Sequence, residues 1–284
     1  MNLIVQGPDV PTPSLKQLAK LTGAAAIEAV SRTAFRLLDA DDRAHAEVAA
    51  FCEAHQLDCG WVPAERRIGD FGLLVMDMDS TLITIECIDE IADMQGLKPQ
   101  VSAITEAAMR GEIDFAESLR QRVSLLAGLD QSALQWVYDE RLQLSPGAET
   151  LLAAARAAGI RTLLVSGGFT YFTERLKPRL GLDYTAANTL EVAGGKLTGR
   201  LLGDVVDAQG KADWLNRVRA ELKLSREQVI AMGDGANDLK MMAEAGVSIA
   251  YRAKPVVREK ASYALNRVGL DGVIALLGGS GRDA

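Results

Sequence analysis

Two aspartates that directly follow an apolar run constrain this chain more than any other feature. The run Leu73–Met76 predicts a buried parallel strand. Asp77 and Asp79 follow it at the carboxyl end, where open α/β sheets bind ligands. Two unit charges ~4 Å apart repel by about 4 kcal/mol at an effective dielectric of ~20, so a cation or a shared proton is expected there. Both suit phosphoryl transfer, because one short loop then supplies a metal ligand, a carboxylate nucleophile and a carboxyl acid.

The composition sets limits on the class of protein. The chain has 284 residues, 48% of them hydrophobic, which is enough for a large domain with a small module. Its net charge of −7 argues against nucleic acid as a partner. No apolar run approaches the ~20 residues that span a bilayer, and the start lacks a basic leader. The cysteines at positions 52, 59 and 87 have no metal-ligand spacing, so we interpret them as reduced packing residues of a cytoplasmic protein.

The histidines exclude one class of catalysis. His45 and His55 are the only two, and both precede the Asp77 strand. We place them on the surface of one helix, and catalysis by a Ser-His or Cys-His pair is therefore not expected.

Residues 1–70 predict a small α+β module without a catalytic constellation. Its strands are expected at residues 3–5, 34–38 and 60–62. Its helices are expected from Leu15 to Leu21, capped by Ser14, and from Asp41 or Asp42 to His55.

Residues 71–284 predict an α/β core built on a doubly wound parallel sheet, because strand and helix patterns alternate there. Ser145 is expected to cap one of its helices, and Gly194-Gly195 to join an inserted β-hairpin. Between Thr81 and Ser145 only helical patterns occur, at about residues 85–94, 101–109, 115–126 and 131–141. These helices predict a cap over about residues 84–144, where it could exclude water from the carboxyl end of the sheet.

Three later features are expected at the same edge of the sheet. Ser166-Gly167-Gly168 follows an apolar run and predicts an anion-binding turn, although glycine turns are also common without a ligand. Lys211 falls in the first turn of a helix, against the helix dipole, where a phosphate would favour it; taken alone it could be a solvated surface residue. The loop Gly233–Asp238 adds two carboxylates, which suit a hard cation.

Taken in order, these residues resemble the four motifs of the haloacid dehalogenase-like phosphatases. The motifs are Asp-x-Asp-x-Thr from Asp77, Ser166, Lys211, and Gly-Asp-Gly-x-Asn-Asp from Gly233. Glu86 and the segment from Phe115 to Leu126 narrow the resemblance to the phosphoserine phosphatase family, over about residues 71–280. The first 70 residues are only vaguely similar to the amino-acid-binding regulatory modules of some relatives.

The resemblance implies hydrolysis of O-phosphoserine to serine and phosphate, the last step of L-serine biosynthesis. Asp77 would be the nucleophile that forms an aspartyl-phosphate. Asp79 would protonate the leaving serine oxygen and then act as general base on water, which needs a raised pKa. Mg²⁺ would take one oxygen of Asp77, the backbone carbonyl of Asp79 and the carboxylate of Asp234. Asp238 would hold a metal-bound water or orient Lys211.

The same resemblance implies the substrate contacts. Ser166, the Gly167 N–H group and Lys211 would bind the phosphoryl oxygens, and Asn237 would line the pocket. Glu86 would pair with the ammonium group of the substrate and Arg122 with its carboxylate, between walls formed by Met109 and Phe115. Without the resemblance, we would interpret Glu86 and Arg122 as a surface ion pair, and Met109 and Phe115 as residues of a helix core.

Several alternatives remain open from the sequence. The chain could act on another small phosphometabolite as a phosphatase or phosphotransferase. It could also be a signalling receiver that stores an aspartyl-phosphate, although Asp79 and the helical insertion favour rapid turnover. Residues 1–70 could sense serine or form a homodimer contact. Cys87 could be sensitive to oxidants, although we favour simple packing.

Overall fold

The computed structural model describes residues 1–109 and 112–278, without the side chain of Met109, and it contains two sheets. The small sheet is antiparallel, in the order β2-β3-β1-β4. Its elements are β1 (Asn2–Gln6), α1 (Thr12–Thr22), β2 (Ala26–Ala29), β3 (Ala34–Leu38), α2 (His45–Ala54) and β4 (Asp58–Val62). Strand β2 has no counterpart in the sequence prediction. The predicted Ser14 cap is wrong, because α1 already begins at Thr12 and Ser14 is buried within it.

The large sheet has the order β11-β10-β9-β5-β6-β7-β8. Its strands are β5 (Leu73–Met76), β6 (Arg161–Phe169), β7 (Tyr184–Ala193), β8 (Lys196–Leu202), β9 (Val229–Gly233), β10 (Val247–Tyr251) and β11 (Tyr263–Leu265). Along the chain, strands β6, β7 and β8 are added on one side of β5, and strands β9, β10 and β11 are then added on its other side. The switch point of the topology therefore lies beside β5, where such sheets form a ligand crevice.

The helices that follow β5 form the predicted cap. They are α3 (Cys87–Asp93), α4 (Lys98–Met109), α5 (Phe115–Ser124) and α6 (Ser132–Trp136), with a further π-helical turn at Val137–Arg141. The cap contacts the β7–β8 hairpin, since a Cβ atom at Gly199 would lie 2.9 Å from Ala127 Cβ. The prediction of an α/β fold with a helical insertion after the first core strand is confirmed.

The other helices are α7 (Ala148–Ala157), α8 (Thr170–Leu180), α9 (Ala208–Glu221), α10 (Leu239–Ala243), α11 (Pro255–Arg258) and α12 (Gly272–Leu276). The predicted Ser145 cap of α7 is wrong: Gly147, at φ +78°, precedes the first helical residue, because a left-handed residue cannot continue a helix. The predicted hairpin insertion needs a correction as well. Gly194 and Gly195 do join two strands, but β7 pairs in parallel with β6 and only β8 is antiparallel.

Alternate residues of β5 face opposite layers of the core. Leu73 and Val75 belong to a cluster that includes Leu215 of α9, whereas Leu74 and Met76 belong to the cluster that includes the cap and α7. This follows from the period of two in a strand. Because both faces are covered, all four residues are buried and the strand is a continuous apolar run.

The small sheet packs against the far edge of the large one. The buried carboxylate of Asp58 accepts hydrogen bonds from the backbone N–H groups of Asn266, Arg267 and Val268, at 2.8–3.2 Å. The Gln6 side chain donates to the Gly272 carbonyl. These bonds fix the module to β11 and α12, which carry no predicted site residue. Within the described ranges, no helix has the length and apolarity needed to cross a membrane.

Candidate active site

The predicted loops meet at one edge of the sheet. In the parallel register, Met76 of β5 lies beside Leu164 of β6 and Met232 of β9. Asp77, Ser166 and Asp234 therefore each lie one or two residues beyond this row of paired residues. The structure thus brings together the residues that the sequence analysis assigned to catalysis and phosphoryl binding.

Asp77 is held by two donors on one oxygen. Its Oδ1 accepts the Met78 N–H group at 2.7 Å and lies 2.7 Å from Lys211 Nζ. The side chain is almost fully buried, and burial together with the nearby Asp238 carboxylate raises the pKa of Asp77. The two donors fix the rotation of the carboxylate, so its second oxygen has a defined direction.

Lys211 joins two of the acidic side chains. Its Nζ lies 2.7 Å from oxygens of both Asp77 and Asp238, and the residue is only 1% exposed. Burial alone would lower the pKa of Lys211, but the two carboxylates outweigh it and raise that pKa. The lysine is therefore a fixed positive charge at neutral pH, which rules out the solvated surface residue considered from the sequence.

The loop after β9 completes a group of three carboxylates. One oxygen each from Asp77, Asp234 and Asp238 lies within 4.8 Å of the others. Asp238 already uses both oxygens: Oδ1 pairs with Lys211, and Oδ2 accepts the N–H groups of Asp234 and Gly235. Its role is therefore to orient the lysine and the loop, one of the two roles considered from the sequence.

This donor set fits a hard divalent cation. Carboxylate oxygens are the ligands such ions prefer. Thr81 Oγ1 donates to Asp234 Oδ1 at 3.2 Å, which orients that carboxylate. Asp234 therefore has the position and the charge of a ligand, and Thr81, the last residue of the first motif, supports it. The Asp79 carboxylate is not one of the three clustered carboxylates found among the described residues.

We expect metal affinity to fall below about pH 6. Burial, followed by Asp238 and Glu86, raises the pKa of Asp234 to about 6 in the metal-free protein. Because protons and metal compete for that carboxylate, affinity should drop by roughly tenfold per pH unit for each proton displaced. Calorimetric titration with Mg²⁺ across this range tests the expectation. Asp234→Asn should bind weakly with a flatter profile, whereas an affinity that stays constant in the wild type would contradict the expectation.

Asp79 lies beside the Ser166–Gly168 turn of β6 and has the properties of a proton donor. Burial, followed by the charge of Glu86, raises the pKa of Asp79 to about 7. Its Oδ1 accepts the Cys87 N–H group at 3.3 Å. A Cβ atom at Gly168 would lie 2.7 Å from Asp79 Oδ2, so only glycine allows this approach. The raised pKa has the direction that the sequence analysis expected for Asp79.

The turn Ser166–Gly168 lies between the acid and the cap. Ser166 is buried, and its Oγ accepts the Gly168 N–H group at 2.8 Å, which leaves the hydroxyl hydrogen to point elsewhere. A Cβ atom at Gly167 would lie 2.8 Å from the ring of Phe115. Phe115 therefore touches the turn and forms a wall of the site, as predicted. The side chain of Met109, the other predicted wall, lies outside the described part of the chain.

Glu86 and Arg122 are both near Asp79, but they do not pair with each other in the part of the chain that is described. Glu86 accepts the Ser80 hydroxyl at 2.7 Å, and Arg122 Nε donates to the Ser118 carbonyl at 3.3 Å. Burial lowers the pKa of Arg122, although the carboxylates of Asp89, Glu86 and Asp79 act against it. The alternative of a simple surface ion pair therefore does not describe these residues.

One polar residue of this site, Ser80, was given no role from the sequence, whereas Asn237 was predicted to line the pocket. Ser80 adopts a left-handed φ of +56° and presents its hydroxyl to Glu86. Ser80 lies within the Asp77 motif, which is the signal that pointed to it. Asn237 lies in the predicted Gly233–Asp238 turn, where its Oδ1 closely approaches Gly235. Cys87 is fully buried, and burial raises the pKa of its thiol, as expected for a packing residue.

Comparisons with known proteins agree with this geometry. A family model described as haloacid dehalogenase-like hydrolase matches residues 74–243, and one described as a domain of unknown function (DUF4072) matches residues 3–48. A curated phosphoserine phosphatase from Polaromonas sp. is 55% identical over 216 residues, which cover 74% of this chain and 92% of that protein.

Two solved structures are similar over nearly the whole chain. A HAD family hydrolase from Salmonella enterica serovar Typhi has a TM-score of 0.88 and 34% identity, covering 97% of both chains. A probable phosphoserine phosphatase from Vibrio cholerae has a TM-score of 0.86 and 41% identity, covering 98% of this chain and 86% of that one. Both similarities therefore include the small sheet.

Proposed function

Because the chain belongs to the haloacid dehalogenase-like hydrolases, and within them to the phosphoserine phosphatases, we propose that it hydrolyses O-phosphoserine to serine and phosphate. One observation carries this proposal: the fixed Asp77 carboxylate lies 2.7 Å from Lys211, in a site whose second acid, Asp79, has a pKa of about 7. A nucleophile, a positive charge and a proton donor are the parts that phosphoryl transfer needs. The activity would complete L-serine biosynthesis.

In the first step, an Asp77 oxygen attacks phosphorus and the bond between phosphorus and the serine oxygen breaks. Asp79 gives its proton to that oxygen, so serine leaves as the neutral alcohol. In the second step, Asp79 takes a proton from water while the water oxygen attacks phosphorus. The bond between Asp77 and phosphorus then breaks, which releases phosphate and restores both carboxyl groups. A pKa near neutrality suits a residue that must first donate a proton and then accept one.

The phosphoryl oxygens would be bound at the Ser166–Gly168 turn, which interrupts β6. We assign them to the Ser166 hydroxyl, the Gly167 N–H group and Lys211, with Asn237 at the edge of the pocket. The Ser166 hydroxyl hydrogen is available because its oxygen already accepts from Gly168. These donors are fixed before the substrate binds, so they stabilise developing charge without reorganisation.

Mg²⁺ is the cofactor that we propose for the carboxylate cluster. It would be held by one oxygen of Asp77, the backbone carbonyl of Asp79 and the carboxylate of Asp234. When bound, the ion would neutralise charge on the phosphoryl group and the acidic loop. The other carboxylate of the cluster, Asp238, already orients Lys211.

Recognition of the amino-acid head group is assigned to the cap. Glu86 would pair with the ammonium group and Arg122 with the carboxylate, for which its planar fork is suited. Both side chains lie near Asp79, where Arg122 is partly buried and Glu86 is exposed, and they do not pair with each other, which supports a role in binding an oppositely charged pair of groups.

We expect Arg122→Ala to remove the preference for phosphoserine. Loss of a charged hydrogen bond should lower kcat/KM for O-phosphoserine by about 10- to 100-fold and change that for p-nitrophenyl phosphate by less than about threefold. Arg120→Ala is the matched control, because Arg120 lies on the same helix and is exposed. An equal loss for both substrates would refute the assignment of Arg122.

The proposed function is tested by phosphate release from O-phospho-L-serine with and without Mg²⁺, beside a panel of other phosphate esters. We expect metal-dependent release that prefers phosphoserine. Release from other esters alone would keep Asp77 as the nucleophile and remove the roles of Glu86 and Arg122. A phosphorylated protein that persists for hours would instead identify a receiver.

The remaining proposals concern the location of the protein in the cell and the role of residues 1–70. Free thiols at Cys52, Cys59 and Cys87 support a cytoplasmic location, where thiols stay reduced. The residue 1–70 module, proposed as regulatory or dimerising, leaves all four residues of its edge strand β2 exposed, which supports a homodimer contact. Sedimentation of the intact protein tests the dimer contact, and phosphate release with and without serine tests the regulatory role. A monomer that serine does not inhibit would exclude them.

A further inference from the structure

The ladder between β6 and β7 is interrupted at the phosphate-binding turn. Val165 pairs with Ala186 and Phe169 pairs with Asn188, so four steps along β6 match two steps along β7. The extra residues bulge out of the sheet at Ser166–Gly168. Backbone groups of a bulge lose their ladder partners, and when buried they need others.

Asn188 supplies one of these partners from inside the protein. Its side-chain Nδ2 donates to the Gly167 carbonyl at 2.8 Å, and its Oδ1 accepts the Val206 N–H group at 2.8 Å. Because one partner is an acceptor and the other a donor, only this orientation of the amide satisfies both. The residue is 2% exposed, so it is shielded from competition with water.

Hydrogen bonds with Asn188 and with Ser166 fix one peptide unit of the turn at both ends. The unit between Gly167 and Gly168 has its carbonyl bound by Asn188 and its N–H group bound by Ser166 Oγ at 2.8 Å. Glycine on both sides leaves little steric resistance to rotation of this peptide. The peptide borders the site, because a Cβ atom at Gly168 would lie 2.7 Å from Asp79 Oδ2, so a rotation would exchange the N–H and carbonyl groups that it presents there.

The second hydrogen bond connects the turn to the lysine helix. Val206 immediately precedes Asp207, whose side chain accepts the Gly210 N–H group and whose carbonyl accepts the Lys211 N–H group. Asn188 therefore links the turn that binds the phosphoryl oxygens with the start of the helix that carries Lys211.

We propose that Asn188 is a positioning residue for phosphoryl binding, which holds the Gly167–Gly168 peptide with its carbonyl turned away from the substrate. The role of the turn rests on the proposed function, but binding of inorganic phosphate tests the position of the peptide without any turnover. Asn188 touches no reacting atom and acts through the peptide and through the segment before Lys211.

The test compares Asn188→Asp with Thr162→Val. Aspartate has the same shape and keeps the acceptor for Val206, but its carboxylate repels the Gly167 carbonyl. Thr162 is also buried and exchanges two hydrogen bonds through its side chain, with Asp183, at the opposite end of β6. Thr162→Val therefore shows how much phosphate affinity falls when the same strand is disturbed away from the site. Asn188→Ala is a further variant, in case the buried aspartate prevents folding.

In calorimetric titration with inorganic phosphate and Mg²⁺, we expect Asn188→Asp and Asn188→Ala to bind phosphate about 10- to 100-fold more weakly than the wild type. Thr162→Val should stay within about twofold of the wild type. The affinity for Mg²⁺ alone should be unchanged in all three variants. Wild-type phosphate affinity in folded Asn188→Asp or Asn188→Ala would overturn the proposal, as would an equal loss in Thr162→Val. If the wild type bound phosphate but released none from phosphoserine, the proposed function would fail and this inference would stand.

Discussion

We expect replacement of Asp77 by asparagine to abolish phosphate release from O-phosphoserine, with a fall in kcat of at least about 10⁴-fold. The amide keeps the shape of the carboxylate, and its oxygen can still accept from Met78 and Lys211, but it cannot form the bond to phosphorus. The measurement is steady-state phosphate release from the purified variant at saturating metal.

Loss of folding is not expected to explain this loss of activity. Burial and Asp238 raise the pKa of Asp77, so folding destabilises its charged form relative to the unfolded chain. A neutral isostere relieves that cost, and we expect the metal-free Asp77→Asn protein to unfold no earlier than the wild type. Asp204→Asn is the control, because Asp204 is an exposed aspartate. A variant that retained more than about a hundredth of the activity would exclude Asp77 as the nucleophile.

Replacing Asp79 by asparagine separates the two halves of the reaction. A general acid contributes about 10²- to 10⁴-fold, and we expect this loss of kcat with phosphoserine, whose leaving alkoxide needs a proton. p-Nitrophenolate leaves without one, so the first step with p-nitrophenyl phosphate should survive. The second step, in which water attacks the aspartyl-phosphate, still lacks the general base that Asp79 provides. The variant should therefore release a burst of p-nitrophenol and then accumulate phosphorylated protein.

The pH dependence of the wild type follows from the same residue. The pKa of Asp79 is raised from its ordinary value to about 7, so the protonated form needed in the first step is lost as pH rises through this value. With phosphoserine, kcat/KM should decline above about pH 7.

Equal losses for both substrates in Asp79→Asn, without a burst, would contradict the role of Asp79.

The parts of the site that lie next to strand ends could be predicted from the sequence. Apolar runs before Asp77, Ser166 and Asp234 locate buried parallel strands, and the ends of such strands meet at one edge. Spacing and residue type were therefore enough to bring these groups together, whereas the raised pKa of Asp79 was expected only from the role that the resemblance implies. The resemblance to the haloacid dehalogenase-like phosphatases, and to phosphoserine phosphatases among them, is confirmed by the matches.

Other features depend on tertiary contacts that no local pattern reveals. Asn188 lies in a strand, and its importance follows only from the bulge in the neighbouring strand. Strand β2 was missed because Ala26–Ala29 is short and fully exposed, so no apolar alternation marks it. The start of α7 was misplaced because Ser145-Pro146 is typical of a helix start, whereas the left-handed Gly147 delays the helix to Ala148. In each case a long-range partner or a single backbone angle outweighed the local preference.

The aspartyl-phosphate at Asp77 is the central claim, and acid quenching tests it most directly. The protein is mixed with O-phospho-L-serine and Mg²⁺, quenched in acid within the first turnovers, digested and analysed by mass spectrometry. We predict one added phosphoryl group on the peptide that contains Asp77, more of it in Asp79→Asn with p-nitrophenyl phosphate, and none in Asp77→Asn. Rapid phosphate release with an unmodified Asp77 peptide, or with the phosphoryl group on another residue, would contradict the account.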